Sequence, residues 1–123
     1  MTISNSEQKA IDAFVKIFGG SYQKLGALDV DYKIFDANNK AIAYVEVNTR
    51  VRTIRDAYPL GITLTKLAKL IDKRLNPVII WSCDDGIIYG MAEKLSGQII
   101  AQSQSELMVY YEKQKGLKYV RFS

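Results

Sequence analysis

Two acidic residues set among alternating apolar ones are the most chemically suggestive feature of this chain. In "LDVDYKIFDANNKAIAYVEVNTR", residues 28–50, one strand-like run carries Val30, Tyr32 and Ile34, and the next carries Ala41, Ala43, Val45 and Val47. Side chains alternate faces along a strand, so if these two sets share a buried face, Asp31 and Glu46 share the opposite one. A two-residue turn at Asn38-Asn39 sets Asp31 directly across from Glu46, Asp29 across from Asn48, and Lys33 across from Tyr44. Opposed Cβ atoms stand about 5 Å apart. Two carboxylates at that distance repel unless the site is wet, one is protonated, or a divalent cation lies between them. Mg²⁺, or Mn²⁺ in its place, takes carboxylate oxygens and keeps several waters, so one Asp and one Glu suffice to hold it. Acids scattered over a solvated strand face are the plainer alternative.

The rest of the composition narrows the chemistry. The chain has 123 residues, no histidine and one cysteine, Cys83. Histidine-based triads, the usual zinc sites, an internal disulfide and a thiolate metal cluster are all excluded. Cys83 reads as a small buried residue in a protein of the reducing cytoplasm. The polar N-terminus is not a secretory signal, and no apolar run approaches the roughly 20 residues that span a bilayer. The net charge of +4 is concentrated: residues 50–74 hold seven basic residues against two acidic ones, which is +5, leaving −1 for the remainder. A local basic zone points to a polyanionic partner.

These residues need elements to position them. "SNSEQKAIDAFVKIFGG" predicts a first helix, with Ser4 and Glu7 as a capping box, Ala10, Ile11, Phe14, Val15 and Phe18 as the apolar stripe, and Gly19-Gly20 as the stop. Residues 21–28 read as a connection, followed by strands over 29–35 and 41–49. "TLTKLAKLIDKRL" predicts a second helix capped by Thr63 or Thr65, with Leu64, Leu67, Ala68 and Ile71 on its buried side, ending at Asn76-Pro77. "VIIWSC" and "IIYGMA", joined by Asp84-Asp85-Gly86, form a buried strand and its neighbour. In the tail, "GQIIAQ" reads as a strand, "SELMVYYEKQKG" as a short helix and "LKYVRF" as a last strand. The fold class is therefore α/β: one domain over 1–123, with a central mixed sheet flanked by helices.

An Asp at the start of one strand, a hairpin, then "VEVNTR" in the next and a helix with a basic face resembles the PD-(D/E)XK, or restriction-endonuclease-like, nucleases. The stretch "YPLGITLTKLAKL", residues 58–70, is similar to the hydroxyl-plus-lysine helix start of small phage-type members. The likeness spans about residues 6–90, and its motif is short and degenerate. It implies an αβββαβ core and metal-dependent hydrolysis of phosphodiesters, most naturally in DNA. Asp31 and Glu46 would then be catalytic metal ligands, with the Val47 carbonyl a further ligand, and Glu7 stands as a less favoured helix-borne one. Asn48 stands where the family carries its lysine, and an amide supplies no positive charge. Either Lys66 or Lys69 from the second helix replaces that charge, or the domain binds nucleic acid without cutting it. Arg50, Arg52 and Arg55 in the loop after the strand, and Lys69 and Lys73 on the helix, are the expected backbone-phosphate contacts. A domain this small covers little duplex, which favours a homodimer, as in many relatives. Tyr58, Trp81, Tyr110 and Tyr111 read as core or interface aromatics.

Overall fold

A computed structural model of the chain describes residues 4–102 and 106–123. Its centre is a six-stranded mixed sheet. Helix α1 (Asn5–Phe18) leads into β1 (Ser21–Lys24), β2 (Tyr32–Phe35) and β3 (Ala41–Thr49), three successive antiparallel strands. Helix α2 (Leu64–Asp72) then crosses to β5 (Pro77–Ser82), which runs parallel to β3. Antiparallel β6 (Gly86–Met91) and β9 (Lys118–Arg121) complete the order β1-β2-β3-β5-β6-β9. A second, three-stranded sheet has the order β4-β8-β7, from β4 (Leu60–Thr63), β7 (Gln98–Ala101) and β8 (Leu107–Tyr111). The chain is thus α/β with a mixed sheet and two helices.

Alternation along the central strands divides the core in two. Ala43, Val45 and Val47 of β3, with Val78 and Ile80 of β5, pack under Ala10, Ile11 and Phe14 of α1. Ile79 and Trp81 face the other way, toward Leu67 and Leu70 of α2 and toward β4 and β8. The Trp81 Nε1–H donates to the Gly61 carbonyl at 2.8 Å and ties the two sheets together. Its ring meets Tyr111 edge-on at 5.8 Å, so both are core aromatics.

Several sequence expectations are corrected. Residues 21–24 are not connection but β1; Gly19 and Gly20, both at positive φ, end the helix and start the strand with no loop between them. β2 begins at Tyr32 rather than 29, and Val30 joins the α2-side core instead of the α1 side. The hairpin does not use a two-residue Asn38-Asn39 turn. Asp36 Oδ1 accepts from the N–H groups of Asn38 and Lys40, Asn39 alone has positive φ, and the register shifts by one between Ile34 and Phe35. That shift restores the expected pairing, with Tyr32 opposite Val45 and Lys33 opposite Tyr44. α2 is shorter than expected and rotated, burying Leu67 and Leu70 while Ala68 and Ile71 face solvent. Thr63 is its cap, accepting from the Lys66 N–H, and it also closes β4, a strand absent from the sequence reading. The tail segment read as a helix from Ser105, itself outside the described residues, is instead β8 and a turn: β4 and β7 flank it on both edges and satisfy its backbone as a strand.

Candidate functional site

β2 separates from β3 just above Tyr32, and this detail builds the site. The Val47 N–H would otherwise pair with the next residue of β2; here it donates to Asp31 Oδ2 at 2.8 Å. Asp31 therefore turns its carboxyl toward the β3 backbone, beside Glu46, instead of standing up from a regular strand. The other oxygen, Oδ1, accepts from Lys24 Nζ at 3.3 Å, and Lys24 also reaches Glu7 Oε2 at 3.1 Å. The Tyr32 hydroxyl donates to that same Glu7 oxygen at 2.6 Å, and Lys24 lies over the Tyr32 ring.

Glu46 is the decisive member. It is 3 % exposed, and its Oε2 has no hydrogen-bond partner. An ionised carboxylate in that setting is costly, since no donor meets Oε2 to offset its lost solvation. Burial first, and then the charge of Asp31 and a hydrogen bond with its carboxyl, push the Glu46 pKa up to about 8; the Lys66 ammonium and the Asp31 backbone N–H pull it part-way back. At neutral pH Glu46 therefore holds its proton. Burial works against the charge on Lys24, but the hydrogen bond to Glu7 and the fields of Asp31 and Glu7 outweigh it and raise its pKa.

The structure thus sets Asp31 beside Glu46, with Lys66 near enough for its charge to act on Glu46, and puts Glu7 and Lys24 in the same cluster. Glu7 does not complete a capping box. Its backbone N–H donates to Ser4 Oγ, but its carboxylate goes to Lys24 and Tyr32. Lys24 carried no signal in the sequence, because its role depends on β1 existing and on α1 starting beside β3. That placement is fixed by Ser6, whose Oγ meets Thr49 Oγ1 at 3.0 Å and whose carbonyl accepts from Ser82 Oγ at 2.8 Å.

Other expected residues lie elsewhere or are engaged. Asp29 does not face Asn48; it sits in a turn, where its Oδ1 accepts from the Val30 N–H and from Lys73 Nζ at 2.6 Å. The hydrogen bond from Lys73 lowers the Asp29 pKa, and Lys69 adds its field. Lys73 is accordingly held by an acid and by the Tyr44 ring, and Lys69 stands close to the same carboxylate. Arg50 is structural: its Nε–H donates to the Ala57 carbonyl at 2.7 Å, folding the loop that follows β3. Arg52 and Arg55 project from that loop into solvent, and the Ile54 N–H anchors it on Asp85. Asn48 is half-buried on the Glu46 face, its amide directed at the Ile80 carbonyl at 3.4 Å. Cys83 is buried, and that burial pushes its thiol up to about 11, an inert state.

The donor set fits a small divalent cation only in part. Two carboxyls, one with a free buried oxygen, suit Mg²⁺ or Mn²⁺ with its waters. No group of three acidic or cysteine side chains placed to hold a metal is found among the described residues. Comparison with protein-family models, with curated proteins and with solved structures found no match.

Proposed function

We propose that this chain is a metal-dependent nuclease of the restriction-endonuclease-like kind, hydrolysing phosphodiester bonds in DNA. The observation carrying the reading is the buried, unpartnered Oε2 of Glu46 beside the Asp31 carboxyl. A packed core has no structural use for an orphaned carboxylate oxygen, and a cation would satisfy it. Setting aside β4, which belongs to the second sheet, the order of α1, three antiparallel strands, α2 and a parallel strand is in keeping with the core such enzymes use.

Asp31 and Glu46 would hold Mg²⁺ or Mn²⁺, with the Val47 carbonyl as a further ligand. When bound, the cation lowers the pKa of a water and offsets charge developing on the phosphate. The chain's own residues do the rest. Glu46 gives up its proton before it can act as a ligand, so binding strengthens as pH rises. Lys66 supplies the positive charge that Asn48 lacks, and the Asn48 amide orients the water. Arg52 and Arg55 hold the DNA backbone, while Arg50 shapes the loop that carries them. A homodimer would extend the duplex covered, and a cytoplasmic setting suits the reduced, buried Cys83.

A second reading, a DNA-binding or assembly module without activity, is favoured by two facts: the motif lysine position is Asn48, and Lys24 already occupies Asp31 Oδ1. Plasmid nicking with Mg²⁺ and with Mn²⁺, comparing wild type with Glu46→Gln, separates the two. Metal-dependent nicking lost in the variant is the expected result. DNA binding without nicking in either metal refutes the nuclease and leaves the binding module.

A further inference from the structure

On the α1 side of the central sheet, away from Glu46, lies a half-open trough of about 650 Å³. α1 covers only part of this face. Its last turn, Phe14 and Phe18, forms one wall, and Phe18 is half exposed. The floor crosses five neighbouring strands, with Ile34 on β2, Ala43 on β3, Val78 on β5, Met91 on β6 and Lys118 on β9. Four inter-strand steps of about 4.8 Å make it roughly 19 Å long.

The two ends of the trough differ. From β2 to β6 the lining is apolar apart from Asn76, whose amide is engaged with the Ile42 carbonyl, and the Tyr89 hydroxyl, whereas Lys94, Lys115 and Lys118 gather at the β6–β9 end. Close backbone approach gathers them. A Cβ on Gly90 would lie 2.9 Å from the Gly116 carbonyl oxygen, and one on Gly116 would lie 2.8 Å from Leu95 Cδ2 and 3.1 Å from the Lys94 carbonyl oxygen. Gln114 clamps the same corner, accepting from the Ser96 N–H and donating to the Ser96 carbonyl. Lys118 lies opposite Tyr89 in the β6–β9 pairing. No acidic side chain lines the trough, and none of these three lysines forms an ion pair among the described residues.

We propose that this trough binds a single-chain amphiphile with an anionic head, the chain lying across β2 to β6 and the head meeting the three lysines. The volume falls in the range of small-molecule sites, roughly 300–1,000 Å³. An apolar length with cations at one end matches a molecule with a tail and a head. An isologous contact between two copies centred on this trough would instead lay the lysine end of each over the apolar end of the other, where no acid of the lining pairs with them.

Calorimetric titration of the full chain with dodecanoate, dodecyl phosphate and dodecyltrimethylammonium tests the assignment. The expected result is saturable one-to-one binding of an anionic ligand, the tighter of the two naming the head group, with the cationic ligand at least about tenfold weaker. The triple variant Lys94→Glu, Lys115→Glu, Lys118→Glu changes only exposed side chains and should lose at least about tenfold in affinity for the anion. Phe18→Ser should weaken all three ligands alike. Circular dichroism matching wild type verifies that each variant is folded. Absence of saturable anion binding, equal binding of the cationic ligand, or an unaffected triple variant overturns the proposal. So does tighter binding of an acidic amphipathic peptide, or a dimer at working concentration that Phe18→Ser dissociates.

Discussion

Glu46→Gln removes the ionisable proton of the only buried carboxyl among the described residues while keeping its shape. The sign of its effect follows from the raised pKa. In the unfolded chain the Glu46 carboxyl titrates near 4.5, and in the native state near 8. Between those values the unfolded state releases a proton that the native state must keep, so wild-type stability falls as pH rises. The contribution is complete below about 4.5 and gone above about 8. Each unit of difference is worth about 1.4 kcal/mol, so the full loss is on the order of 5 kcal/mol, a large share of a domain's stability. With no histidine in the chain, no other side chain type ordinarily titrates in this interval. Because glutamine carries no titratable proton at this position, the variant should lose the slope. Urea unfolding from pH 5 to 9 reads the effect, and Trp81, buried and the chain's single tryptophan, reports it. The variant should match wild type near pH 5 and exceed it by several kcal/mol near pH 9, at unchanged m-value. Saturating Mg²⁺ should stabilise wild type increasingly with pH, by about 2.7 kcal/mol at roughly 100 times its Kd, and leave the variant unmoved. A flat or rising wild-type profile over pH 5–8, or the same slope in Glu46→Gln, would refute the argument that this buried carboxyl is held protonated.

Three further outcomes follow from the same geometry. Lys24→Met leaves Glu7 and Asp31 without the cation between them and should cost about 1–3 kcal/mol at neutral pH by thermal or urea unfolding. If Lys24 and a cation compete for Asp31, calorimetry on the same variant should show tighter Mg²⁺ binding. Arg52→Ala with Arg55→Ala should weaken DNA binding without changing sequence preference and reduce the slope of log affinity against log salt by about 2; Lys73→Ala, already paired with Asp29, should leave that slope nearly unchanged. Trp81→Phe removes the hydrogen bond from Nε1 to Gly61 across the two sheets and should cost about 1–2 kcal/mol, read as a lowered urea midpoint by circular dichroism.

How much of this was legible beforehand depends on how local each signal is. The period-2 pattern of β3 was readable because one of its faces is buried under α1, and parity alone then put Glu46 on the other face. The pairing of Tyr32 with Val45 was also readable, although the turn that produces it was misjudged: the Asp36 side chain organises the loop, and a register shift supplies the missing residue. α2 was legible as a helix but not in its rotation, because leucines and Ile71 surround it closely enough for more than one stripe to pass as its buried face.

Residue types and local periodicity by themselves determined an α/β chain without histidine chemistry, with a carboxylate pair on one strand face and a basic segment after it. Tertiary structure decided what those residues do. β4 is a strand because it finds its partner, β8, about fifty residues away along the chain, and no local pattern records such a pairing. Burial of Glu46 depends on the elements packed against β3, α2 among them, which turn an ordinary surface acid into one that holds its proton near neutrality. Lys24 reaches Asp31 and Glu7 only because α1 begins beside the end of β3. Charge is written in the sequence, but the solvation and neighbours that set its energy come from contacts between distant segments.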